Sequence, residues 1–171
     1  MYTKELCTSQ TWLEEMVYNL LRYHGYEQPE DIDVLEICRT FNIEVWFSEG
    51  RSRSFPHPRK AGWFVIQIDS TLCEEEQREK IAHELGHLIL HCGAQPGLPE
   101  LMICMQESQT NHFAEHLLVP FYMFDRLFYR VNRYEAPRYI ARLFRVTEKI
   151  ARQRFDRFLS RAFQRGFEHY I

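Results

Sequence analysis

The stretch REKIAHELGHLILH, residues 78–91, constrains this chain more than any other. Ile81, Leu85, Leu88 and Ile89 recur at helical spacing, so the segment is expected to be a helix with an apolar face. Three histidines, His83, His87 and His91, stand in the same frame at intervals of four. Imidazoles buried without partners are costly, so whatever packs on this helix must answer them. Positions i and i+4 lie on one helical face about 5–6 Å apart, which lets His83 and His87 aim two nitrogens at one ion. Glu84, one position along, stands beside such an ion rather than on it. A base must stand there to take a proton from water activated by a metal. Gly86 sits mid-helix at a cost of about 1 kcal/mol relative to alanine. A position without a side chain there lets a strand or a second helix come close.

A catalytic zinc takes three protein ligands and keeps one position open. The arrangement H-E-x-x-H-x-x-G-x-x-H would need Gly at 90 and His at 93, where this chain has Leu90 and Gly93. His91 is therefore not the third ligand by that route, and as a cation it suits the C-terminal end of the helix dipole. A glutamate from a following helix is the other solution, with Glu100, Glu107 and Glu115 as candidates. Glu107 stands out because Asn111 lies one turn later on the same face. A ligating histidine usually gives its second N–H to an oxygen, and Asn111 carries one. Glu115 lies two turns beyond Glu107, so spacing leaves it open.

The rest of the chain reads as an α+β arrangement. TWLEEMVYNLLRYHG is a helix with Gly25 at its C-terminal end, and DIDVLEICRTF is a second, with Ile32, Leu35, Cys38 and Phe41 as its inward stripe. IEVWF (43–47) and AGWFVIQID (61–69) are strands, and the polar loop 48–60 between them suggests an antiparallel pair. Ser70 or Thr71 caps the histidine helix, and Glu74, Glu75 and Glu76 suit the positive end of its dipole. A further helix covers 107–119, ended by Pro120, and everything from Phe121 on is helical. The expected fold is a small antiparallel sheet packed on the histidine helix. The expected organisation is one domain, residues 1–171, with the metal-site core in 1–120 and an Arg-rich tail, 121–171, packed on it.

With 171 residues, 45% of them apolar and 26% charged, the chain has the composition of a soluble globular domain. MYTKELCTSQ has no apolar h-region, and no apolar run approaches the ~18 residues of a membrane span. A cytoplasmic location with no membrane partner is the expectation. The cysteines, Cys7, Cys38, Cys73, Cys92 and Cys104, are odd in number with no C-x-x-C pair. That argues for reduced thiols and against a disulfide framework or a thiolate zinc site. Charge is segregated: residues 1–125 hold 9 basic and 20 acidic side chains, net −11, and residues 126–171 hold 12 and 4, net +8. Either the two regions attract each other within the fold, or the tail faces a negatively charged partner.

IAHELGHLILH followed by ESQTNHFAEHLLVP resembles the ImmA/IrrE family of zinc metallopeptidases. That family pairs an HExxH helix with a helix of the form E-x-Q/E-A-N/D-x-F-A-x-x-L-L-M-P. Glu107, Gln109, Asn111, Phe113, Ala114, Leu117, Leu118 and Pro120 fall on the pattern, with Thr110 in place of Ala and Val119 in place of Met. The likeness extends over roughly 40–170. It implies His83, His87 and Glu107 as ligands of one zinc ion and Glu84 as catalytic base, beside the supporting role that spacing gives Asn111. Short members of this kind resemble anti-repressor proteases of phages and integrative elements, so the implied partner is a helix-turn-helix repressor whose cleavage releases transcription. The implied reaction has Glu84 accept a proton from water and return it to the leaving amine. A second oxyanion donor is normally needed; His57, His112, His116 and several tyrosines and arginines are candidates. The strand GWFVIQI is a candidate for holding substrate backbone at an exposed sheet edge.

APRYIARLFRVTEKIARQRFDRFLSRAF (136–163) has the cadence of a helix-turn-helix, with Thr147 capping the second helix. Ile150, Phe155, Phe158, Leu159 and Phe163 form an apolar stripe and arginines fill the rest. Such a helix suits packing or partner binding better than nucleic acid, since the acidic body opposes general DNA affinity. The rival function is a non-proteolytic regulator with a structural or sensory metal site and a basic tail that binds DNA or a repressor.

Overall fold

A computed structural model describes residues 11–91, 98–124, 132 and 134–164. The chain divides into two compact units, one contiguous over Asp33–Ala114 and one drawn from both ends, up to Ile32 and from Glu115 onward.

The contiguous unit begins with helix α2, Val34–Thr40, which follows helix α1, Trp12–Tyr23, of the end-assembled unit. Asp33 caps α2, its Oδ1 accepting from Leu35 N at 2.8 Å and Glu36 N at 3.1 Å, and so satisfies donors the helix cannot. The inward stripe is Val34, Ile37 and Cys38; Phe41, expected inside, is 41% exposed because α2 ends one residue before it. Burial pushes the Cys38 thiol up to about 12 and keeps it protonated.

Three strands follow: β1 Ile43–Ser48, β2 Arg53–Pro56 and β3 Phe64–Asp69. The sheet order is β1-β3-β2. The expected antiparallel pairing of the first and last strands is wrong: β1 runs parallel to β3, with Ile43 opposite Phe64 and Ser48 opposite Asp69. The cause is β2, which lies inside the stretch read as a loop and pairs antiparallel with β3, Arg53 opposite Gln67 and Pro56 opposite Phe64. With one edge of β3 taken by its hairpin partner, β1 is left the far edge, and the chain direction makes that pair parallel. Pro56 is tolerated because β2 is an edge strand. β3 is thus the central strand, with Val65, Ile66 and Ile68 fully buried, and it offers no free edge to a substrate.

Helix α3, Glu74–Leu90, packs on β3 and also touches β2. Its cap is Cys73 rather than Ser70 or Thr71, with the Cys73 N–H donating to Glu76 Oε2 at 3.2 Å. Thr71 is withdrawn from capping by Asp69, whose Oδ1 accepts from its N–H at 3.0 Å and its hydroxyl at 2.8 Å, an Asx turn that ends β3. Ile81, Ala82 and Leu85 form the buried face of α3. Helix α4, Glu100–Leu118, starts two turns earlier than expected. Its first turns carry Leu101, Met102 and Met105 on the outside, 75%, 50% and 55% exposed, so they show no inward stripe to periodicity.

The end-assembled unit contains α1 Trp12–Tyr23, the last turn of α4, the short α5 Phe121–Phe124, α6 Ala136–Phe144 and α7 Glu148–Gln164. Thr11 and Glu14 form a capping box on α1. Gly25, at φ 73, closes α1 as expected, with Tyr26 N bonding Leu21 O and Gly25 N bonding Arg22 O, each at 3.0 Å, the Schellman pattern. Thr147 caps α7, accepting from Ile150 N at 3.5 Å. Phe155 and Phe158 lie in the α7 core stripe as read from sequence; the Phe163 side chain falls outside the described residues. The arginines do not all face out, since Arg154 is 1% exposed. Its Nε donates to Val119 O at 3.0 Å and its guanidinium lies 3.9 Å from the Phe121 ring centroid. Arg157 pairs with Glu115, and Arg161 with Glu14 at 2.7 Å. Among the described residues, no helix is long and apolar enough to cross a membrane.

Candidate metal centre

The site lies wholly in the contiguous unit, on α3 and α4. Gly86 is what lets these helices meet. A Cβ built there would come within 2.9 Å of Phe113 Cδ1 and 3.0 Å of Thr110 Cγ2, both on α4. The close neighbour expected at Gly86 is therefore a helix, and it carries Glu107 toward the histidines.

His83 Nε2 and His87 Nε2 are 3.1 Å apart. Glu107 Oε2 is 3.4 Å from the first and Glu107 Oε1 is 3.3 Å from the second. A tetrahedral ion with bonds of about 2.0–2.1 Å sets neighbouring ligand atoms roughly 3.3–3.4 Å apart. The separations, which run to different oxygens of Glu107, lie near that edge length, and one ligand atom from each residue falls within 4.8 Å of the others. These three residues can therefore hold a metal ion. The Glu107 side chain is 40% exposed and the two imidazoles 17–18%, so the group opens to solvent on the glutamate side.

His83 Nδ1 lies 3.1 Å from Asn111 Oδ1. The amide oxygen only accepts, so Nδ1 carries the proton and Nε2 keeps its lone pair for a ligand role. Burial pushes the His87 imidazole below its ordinary value; the charge of His83 acts the same way, and Glu107 and Glu84 oppose. Each influence that lowers it favours the neutral ring, the form a metal requires. Glu84 is half-buried next to His83, and its charge acts on His87.

His91 ends α3 in extended backbone and is no part of the triad; its Nε2 lies 3.3 Å from Gln106 O. Glu115, left open by spacing, belongs to the other unit and pairs with Arg157. Glu100 begins α4, two turns before Glu107. Among the suggested oxyanion donors, His57 is committed elsewhere. Its Nδ1 accepts from Arg59 N and Lys60 N, both at 3.0 Å, and its Nε2 faces Glu44 at 3.2 Å. His116 lies 3.5 Å from Glu14 in the other unit. Thr110 is the neighbour that sequence reasoning passed over. It is fully buried, with its methyl against Gly86 and its Oγ1 3.3 Å from His87 Nδ1. One signal pointed to it: a hydroxyl in a position where the resembled pattern has alanine, beside Asn111.

The sequence profile of the peptidase family described as IrrE N-terminal-like domain matches residues 39–156. The chain belongs to this family. Among relatives, the phage-like element PBSX protein XkdA of Bacillus subtilis (strain 168) is 34% identical over 146 residues, 85% of this chain and 72% of that protein. Protein YqaB of the same strain is 25% identical over 159 residues, 93% of this chain and 91% of its own. A solved Mycobacterium tuberculosis transcriptional regulator shares the fold, with a TM-score of 0.65 at 19% identity over 86% of this chain. The chain spans 56% of that regulator's length. The α+β fold with its small sheet and helical majority is therefore that of an IrrE-type domain.

Proposed function

We propose that this IrrE-family chain is a zinc-dependent, site-specific endopeptidase that cleaves a partner transcriptional repressor and so derepresses gene expression. The observation that carries the reading is the His83–His87–Glu107 group, whose facing atoms lie 3.1–3.4 Å apart, with Glu84 beside it. Zinc, when bound, supplies Lewis acidity to the peptide carbonyl and to an attacking water. Glu84 accepts the proton of that water and returns it to the leaving amine. Asn111 holds His83 in the ligating tautomer. The whole chain, 1–171, is read as a single metallopeptidase domain. An extended substrate would add to β2, the edge strand that α3 touches, since β3 is paired on both sides.

The substrate class rests on family membership and on the relative from a phage-like element. A helix-turn-helix repressor is the partner that fits. The rival reading, a DNA-binding regulator with a non-catalytic metal, needs cations on the outside of α7. Of the α7 cations, Lys149 and Arg152 are exposed, whereas Arg154, Arg157 and Arg161 engage Val119, Glu115 and Glu14.

The test is co-expression with a candidate helix-turn-helix repressor. The wild-type chain is expected to cut it, and Glu84→Gln is expected to retain zinc and cut nothing. Proteolysis at the wild-type rate by Glu84→Gln, or a zinc-loaded wild-type chain that binds DNA and leaves the repressor whole, overturns the proposal.

A further inference from the structure

Thr110 stands at 0% exposure between the two helices of the metal centre. Its hydroxyl touches two groups: Gln106 O one turn back at 2.7 Å, and His87 Nδ1 at 3.3 Å. A hydroxyl has one hydrogen to give and two lone pairs to receive with. A carbonyl oxygen can only accept, and its contact is much the shorter, so the hydrogen goes to Gln106. What remains for His87 is a lone pair, and His87 Nδ1 must then be the donor. The same Gln106 carbonyl receives His91 Nε2 at 3.3 Å, so it is a fixed acceptor anchoring both the Thr110 hydroxyl and the C-terminal end of α3.

We propose that Thr110 is a positioning residue of the metal centre, its carbonyl-tethered hydroxyl holding His87 in the tautomer whose Nε2 is bare. This rests on the metal-site reading above and extends it to the second histidine, as Asn111 does for the first. With both Nδ1 atoms protonated, two Nε2 lone pairs and a carboxylate converge at 3.1–3.4 Å with no hydrogen between them. Two imidazole lone pairs that face each other repel, and a cation between them turns that arrangement into an attractive one. The Thr110 hydroxyl thereby biases the pair against a ring-to-ring hydrogen bond, which would otherwise occupy the site in the metal-free protein.

The test uses the full chain and two substitutions. Thr110→Val keeps the shape against Gly86 and Phe113 and removes the hydroxyl; Thr110→Ser keeps the hydroxyl. Proton–nitrogen correlation spectra of the metal-free protein at about pH 8, above the ordinary imidazole range, read the His87 tautomer directly. The wild type and Thr110→Ser are expected to carry the proton on Nδ1, and Thr110→Val to shift toward Nε2. Zinc affinity by chelator competition is expected to fall about 10–100-fold in Thr110→Val and to stay within about threefold in Thr110→Ser. A purely packing role for Thr110 leaves the tautomer of Thr110→Val unchanged and overturns the proposal, as does a wild-type His87 protonated on Nε2. If the wild type binds no zinc, the metal reading falls, while the spectra still decide the role of Thr110.

Discussion

Glu84 and Glu107 are the same chemical group with opposite assignments, and metal binding separates them. Glu107 supplies both oxygens that face the imidazoles at 3.3–3.4 Å, whereas Glu84 has no place in that triangle. Zinc added at about 100 times its dissociation constant stabilises a folded protein by about 2.7 kcal/mol. Thermal unfolding should therefore shift upward with zinc in the wild type and in Glu84→Gln, and show no shift in Glu107→Ala. Equal shifts in all three would remove Glu107 from the ligand set. Much at this scale was legible in the chain. Helical spacing alone pairs His83 with His87 and sets Glu84 beside them, and the turn between 107 and 111 couples a carboxylate to an amide oxygen. Thr110 showed only as a hydroxyl where the resembled pattern has alanine, because its importance depends on which helix lies against Gly86. Spacing within one helix carries no information about contacts to another.

Single residues matter here through the elements they join. Gly86 exchanges helix propensity for the approach of α4, so Gly86→Ala should gain about 1 kcal/mol of propensity and lose about 1–3 kcal/mol to overpacking against the buried Phe113 ring. A lower unfolding temperature together with weaker zinc binding checks this; a more stable variant with unchanged affinity would mean the helices can part freely. In the sheet, Glu44 on β1 gathers the loop after β2. Lys60 chiefly, then Trp46 and His57, hold its carboxyl down to about 2 from an ordinary 4.5, with desolvation opposing. A depressed carboxyl contributes stability that is complete above the unfolded value, about 4.5, and is lost as pH falls toward about 2. Glu44→Gln should therefore lose less unfolding temperature than the wild type between about pH 5 and pH 3. The helices were read from periodicity with errors of a few residues at their ends. The strand order was not, because β2 is short, polar and proline-ended, and a strand of that kind shows itself only by its partner.

At the scale of the whole molecule the segregated charge finds an internal use. Glu14 and Glu115, 6% and 5% exposed, belong to the acidic stretch, and Arg154, Arg157 and Arg161 to the basic one; all five lie in the end-assembled unit. Burial penalises the charge of Arg154, and the carboxylates of Glu115 and Glu14 offset that penalty. Removing one partner of such a buried group costs about 3–5 kcal/mol. Glu115→Ala should cost toward the lower end of that range in urea unfolding, since Arg157 is 38% exposed and partly solvated without it. A change below about 0.5 kcal/mol, the scale of an exposed ion pair, would make the cluster incidental. The division of the chain also has a temporal side. His83, His87 and Glu107, the group that can hold a metal, all lie within one uninterrupted run, Asp33–Ala114, whereas the other unit draws on segments before and after it. Folding α1 into its unit requires α7, far along the chain, while the histidines and Glu107 have their neighbours within one run. Pulse-labelled hydrogen exchange during refolding should therefore protect β3 and α3 before α1 and α7, so that the candidate metal centre is assembled before the arginine-rich helices have found their acidic partners.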